Sequence, residues 1–151
     1  MSSSRFTTHE VFNQPSPLAP YDAYATDAAL REGLSREGSG FAAEHVAAFG
    51  KVTGGEMMAL GFSANENKPR LRPFDPYGHR IDEVEFHPAY HRIMELAIAH
   101  GVPSFAWRHQ NTPGAHVARA ALMYLSAQAE QGHQCPLTMT YASIPALRHA
   151  P

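Results

Sequence analysis

Residues 112–132 read TPGAHVARAALMYLSAQAEQG, and this stretch decides the fold class. Thr112-Pro113 predicts a helix start, because proline's fixed φ and missing N–H suit the first turn. Gly132 predicts the stop, as the residue that tolerates a left-handed C-terminal turn. Between them Val117, Ala118, Ala121, Leu122, Tyr124 and Leu125 run nearly all round the helix. Only a narrow strip, with Arg119, Ser126 and Glu130, is polar. A helix apolar on almost every side needs neighbours on almost every side, which predicts the centre of an all-α bundle.

The flanking segments supply those neighbours. Downstream, Pro136 begins a last helix over PLTMTYASIPALRHA, still reading as core where the sequence stops, so the chain looks cut. Upstream, Pro88 fits the first position of a helix that follows His87. Its stripe is Tyr90, Ile93, Met94 and Ala97, and Gly101 stops it before the short piece SFAW (104–107). Thr26-Asp27 offers a side-chain acceptor for the free N–H groups of a first helix, with Leu30 and Leu34 inside and Gly38 and Gly40 at its end. A second short helix over 41–49 puts Phe41, His45 or Val46, and Phe49 on one side, with Gly50 as its stop. A third, over 54–66, carries Met57, Met58, Leu60, Gly61 and Ala64 and ends before Pro69.

Two regions are not helical. Residues 70–86, RLRPFDPYGHRIDEVEF, hold a Pro-Phe-Asp-Pro-Tyr-Gly turn between apolar positions and predict a small hairpin or a long ordered loop. Pro73 and Pro76 argue against a central strand. Residues 1–25, rich in proline and in aromatics (Phe6, Phe12, Tyr21, Tyr24), predict either an extended arm laid over a partner surface in cis or in trans or a plain floppy terminus. The organisation is an arm (1–25) followed by a helical domain (26–149) of about six helices.

Composition bounds the function. The chain has 151 residues, a net charge of -2 and 44% apolar residues, as expected of one globular domain. Its twelve cations are scattered, which gives no basic footprint for nucleic acid. A single cysteine cannot form an internal disulfide, and the N-terminus MSSSRFTTHE lacks an apolar core of a signal peptide. No run of about eighteen apolar residues predicts a membrane span. The expectation is a cytoplasmic protein.

Four groups could carry chemistry. His87 and His91 lie one turn apart and can face the same way. A His-Glu-x-x-His metalloprotease helix would need a Glu where Pro88 stands. Glu95 lies about 12 Å along the axis from His87, too far to complete a site on this helix. The expectation is no metal, with His87 capping and His91 on the polar face. Gly54 and Gly55 in TGGE precede a helix, but no strand leads into them and no Lys follows, so a tight connection is expected over a phosphate cradle. Cys135 before Pro136 could be a thiolate at a helix start; a small packed residue is the plainer reading. Thr138, Thr140, Tyr141 and Ser143 could line a pocket with hydroxyls or bond back to helix carbonyls one turn earlier.

Four motifs resemble one family. THEVFNQPSPL (8–18), GFSANENKP (61–69), DPYGHRIDEVEFHPAYHRIM (75–94) and CPLTMTYASIPAL (135–147) are similar to the N-terminal region of AidB-type adaptive-response proteins, in the acyl-CoA dehydrogenase superfamily. The resemblance runs from about Thr8 to Leu147. It implies an N-terminal helical-bundle domain whose middle β domain and C-terminal helical domain are absent. It implies FAD in the complete protein, acyl-CoA dehydrogenase-like oxidoreductase activity acting on CH–CH donors, homotetramers, and double-stranded DNA bound through the missing C-terminal part in response to alkylation damage. The family's flavin motif, Thr followed by Gly-Gly-Ser-Asp, is absent here, and so is the catalytic carboxylate region. No catalytic, cofactor or metal residue carries over to this chain. By position, the resemblance implies that residues 137–144 help wall the substrate channel, with Thr138, Thr140 and Tyr141 as candidate lining. The rival expectation is a stand-alone helical interaction module without catalysis.

Overall fold

A computed structural model describes residues 8–18 and 20–149. The helices are α1 (Ala28–Arg36), α2 (Ala43–Val52), α3 (Met58–Glu66), α4 (Pro88–Ala99), α5 (Phe105–Arg108), α6 (Ala115–Ala129) and α7 (Gln134–Arg148). Strands β1 (Arg70–Phe74) and β2 (Arg80–Glu85) pair antiparallel between α3 and α4, so residues 70–86 are a hairpin. The register aligns Leu71 with Val84 and slips between Arg72 and Phe74, around Pro73, which has no N–H to give the ladder.

The core forms where α6 crosses its neighbours. Val46 and Phe49 of α2, Met57, Ile93 of α4, Val102, Leu122 and Leu125 of α6 and Leu137 of α7 have next to no exposure. α6 packs against α1, α2, α3, α5 and α7, the central place its composition predicted. Its polar strip is a correction. Arg119 and Ser126 are buried, because α5 and α7 close over that side as well. The ends also differ. The helix starts at Ala115, after Gly114 at φ 81. It stops when Glu130 turns extended, not at a left-handed Gly132. The Glu130 carboxylate then accepts from the backbone N–H groups of Gly132 and His133.

Local capping signals were legible. Asp27 Oδ1 accepts from the Leu30 N–H at 2.8 Å, and His87 Nδ1 accepts from the Ala89 N–H at 3.2 Å with Pro88 at the first position of α4. Gly50, expected to stop a helix, does not. The chain runs helically through it and through a wide turn, Thr53–Met57, into α3, bending at Gly55 (φ -107, ψ -105). Counting α2 and α3 as one bent rod, the bundle has six. Gly50 and Gly54 serve a close approach: a Cβ on either would run into the backbone or Cβ of Tyr24 and Tyr21.

That approach anchors the end of the arm in cis. Tyr21 N–H donates to Gly54 O at 3.0 Å and Ala23 N–H to Gly50 O at 3.2 Å, and Ala23 is 1% exposed. Asp22 folds 21–26 into a turn, accepting from the Tyr24 and Ala25 N–H groups. Residues 8–18 are exposed, with Phe12 at 86%. The Phe12 ring therefore lies on no surface formed by the described residues; Phe6 is outside them.

Candidate functional site

The residues expected to line a channel sit on α7, and the fold divides them. Thr138 is half-buried, its Oγ1 3.6 Å from Met123 Sδ on α6. Thr140 is exposed and donates to Pro136 O at 2.9 Å, one turn back; Ser143 donates to Thr140 O at 2.8 Å. Tyr141 turns inward to α6, where its phenol and His116 Nδ1 are 2.6 Å apart. The three lining candidates thus do not share one face.

Tyr141 instead organises a cluster that sequence spacing did not reveal. Trp107 of α5 stacks on its ring at 5.1 Å and donates Nε1–H to the Tyr141 carbonyl at 3.0 Å. The Arg119 guanidinium lies over the same ring, 3.9 Å from its centroid. Arg148 sits over Trp107 at 5.3 Å. These residues come from α5, α6 and α7, so no single-segment pattern could have flagged them.

A second polar group lies at the junction of α6 and α7. His133 is fully buried and 2.9 Å from both Glu130 Oε2 and Gln134 Nε2. The Gln134 amide donates to His133 Nε2 and to Ser126 Oγ, leaving His133 Nδ1–H to donate to Glu130. Burial pushes the His133 pKa down, against the opposing pull of Glu130, so the ring is held neutral. Burial alone would raise the Glu130 pKa, but the His133 ring and two backbone N–H groups outweigh it and hold the carboxyl below the usual range. Beside this pair is a cleft of about 350 Å³ bounded by Lys68, Phe86, His87, Tyr90 and Glu130.

The His87–His91 pair resolves into local roles. His87 caps α4, and the His91 ring meets Phe86 edge-on at 6.1 Å. Glu95 is bound by Arg92 at 2.7 Å. No three His, Cys, Asp or Glu side chains converge among the described residues. Gly54 lies under the Tyr21 backbone, in the wide turn that carries α2 into α3 where a tight connection was expected. Cys135 is exposed, against the expectation of a packed residue, with its Sγ 3.9 Å from Met139 Sδ. No described helix is long and apolar enough to cross a membrane.

The family described as the adaptive response protein AidB N-terminal domain matches residues 13–151. The chain belongs to this family. It is 45% identical to the acyl-CoA dehydrogenase-type protein AidB of Escherichia coli (strain K12) over 141 residues, which are 93% of this chain and 26% of that protein. It is 26% identical to acyl-CoA dehydrogenase family member 11 of Caenorhabditis elegans, over 90% of this chain and 23% of that one. The structure is similar to Bd2924 in its apo form, with TM-score 0.82 and 25% identity over 91% of this chain and 28% of the other. It shares its fold with C. elegans ACDH-11, solved with C11-CoA, at TM-score 0.78 and 22% identity over 98% of this chain and 26% of the other. The AidB-type domain thus spans about a quarter of the proteins it matches.

The AidB family implies a flavin in the complete protein, and the α7 donors test that implication locally. Thr140 and Ser143 bond to helix carbonyls, Thr138 faces a sulfur, and the Tyr141 phenol is held by His116. No donor set on α7 is left to converge on a ring system.

Proposed function

We propose that this domain is one wall of an AidB-like, FAD-dependent flavoprotein with acyl-CoA dehydrogenase-type chemistry, acting in the response to DNA alkylation. The observation that carries the reading is the uncovered outer side of α7, where Met139 is 67% and Leu147 68% exposed. An apolar helix left in water on one side loses the burial that would stabilise it, so a docked domain or an acyl chain has something to gain there. Thr140, exposed beside Met139, reaches that side. Thr138 and Tyr141 fix it from behind through Met123 and His116. In this reading the exposed arm residues Val11, Phe12 and Leu18 pack on the remaining domains or on another subunit of a tetramer. FAD, double-stranded DNA and the catalytic carboxylate belong to the rest of the protein.

The test starts with an antibody to this chain and the native mass in its source cells. A band several times heavier than 151 residues supports the reading. The heavier protein should then show flavin absorbance that bleaches with acyl-CoA, and Thr140→Trp should raise KM more for long than for short acyl chains. A band at the mass of 151 residues removes the flavin and DNA roles and leaves a stand-alone interaction module.

A further inference from the structure

Arg119 is 9% exposed, on a helix in the middle of the bundle. Its Nε–H donates to Val102 O at 3.2 Å. Its Nη2 is buried with no hydrogen-bond partner among the described residues. The ring of Tyr141 lies on it, a contact that attracts the cation but accepts no in-plane N–H. Burial pushes the guanidinium pKa down, and the opposing influence is a phenol, not a carboxylate. Arginine stays charged at any pH a protein survives, so a positive charge is held in the interior without a counter-charge. Stacking and one carbonyl bond do not offset that cost; an anion would. The surroundings favour one: Arg148 and His116 both border the same aromatic group.

Access runs through Tyr141. Its ring is half-buried and its phenol is tethered to His116, which is exposed. Lifting the ring uncovers the guanidinium that lies over it. We infer that Arg119 is the receptor of a buried oxyanion site closed by Tyr141, taking a carboxylate or phosphate oxygen on Nη2. Two sources could supply it, an acidic side chain from outside the described residues or a free phosphorylated ligand. This goes beyond the channel-wall reading and rests on side chains inside the domain.

Trp107, the sole tryptophan of the chain, is stacked on Tyr141 and reports the site directly. The experiment titrates inorganic phosphate, and separately acetate, against chloride at constant ionic strength, reading Trp107 fluorescence and Tm. The expected result is a saturable fluorescence change. At ten times its Kd, the anion should raise Tm by about 4 °C. Arg119→Met, which keeps the bulk and removes the charge, should fold with equal or higher Tm and lose the saturable response. Arg119→Lys should retain a weaker one. A stronger response to phosphate identifies a phosphorylated ligand, and an equal or stronger one to acetate an acidic side chain. A phosphate or acetate response that never saturates, or that persists in Arg119→Met, overturns the site. So does a Tm of Arg119→Met well below the parent in chloride, which would make the arginine a packing element.

Discussion

Helices α6 and α7 are fifteen residues each and adjacent in sequence, and each carries two leucines, a methionine and a tyrosine, yet they live in different environments. Eight residues of α6 are buried, including an arginine and a serine; on α7 only Leu137 is. The difference is one of neighbours. α6 has five helices around it, whereas α7 lies on its surface-facing side and packs on α6. Apolar content makes a helix able to be buried, and the count of neighbours decides whether it is. α7 therefore keeps an uncovered apolar side, with Met139 and Leu147 exposed, whereas α6 is enclosed.

The comparison can be broken by truncating each helix in turn. Leu122→Ala on α6 should cost about 3 kcal/mol in urea unfolding, because the surrounding core cannot collapse into the hole. Leu147→Ala on α7 should cost about 0.5 kcal/mol or less in the same assay. Equal costs would mean that α7 is as enclosed as α6. Gly61→Ala comes next. Its new methyl would run into the Ala129 carbonyl at the end of α6, and the expected loss is about 2 kcal/mol. A neutral result would show that α3 can back away from α6.

The junction between the two helices should titrate. Burial holds the His133 pKa below its ordinary value. As pH falls through about 6.5 the unfolded chain takes up a proton that the folded one refuses, so the unfolded state gains. Stability is therefore full above that pH and should decline as pH falls toward 5. Unfolding midpoints of His133→Asn should lack this slope; an unchanged slope would assign it to other groups. The smallest effect is expected at Thr140→Ala. The hydroxyl bonds only within α7, and alanine is the better helix former, so stability should rise by about 0.3 kcal/mol. A loss above about 1 kcal/mol would show Thr140 bound to something more than its own helix.

Much of the fold was legible because its signals are local. Asp27 and His87 cap helices that begin within two residues of them, and Pro-Phe-Asp-Pro-Tyr-Gly makes the turn of a hairpin. The failures share a cause. Gly50 was read as a stop because glycine often is one, but it is there for the backbone of Tyr24, which no neighbouring residue announces. Arg119 was read only as part of a polar strip, and nothing in its own segment announces the α5 and α7 side chains that enclose it. The site fared worse than the fold: Thr138, Thr140 and Tyr141 were visible as hydroxyls, but His116, Trp107 and Arg119 around Tyr141 were not.

By itself the sequence determined that the domain is helical, where α1 and α4 are capped, that α6 is the apolar centre and which family the chain belongs to. These follow from periodicity, from caps within a turn of the residues they serve, and from motifs quoted in order. Only the tertiary structure decided which polar groups are enclosed. Burial is a property of what lies across from a residue. Arg119 meets Val102 seventeen positions away, and the Trp107–Tyr141 contact spans thirty-four. Such partners are set by how whole helices stack, and that information is not carried by any one of them.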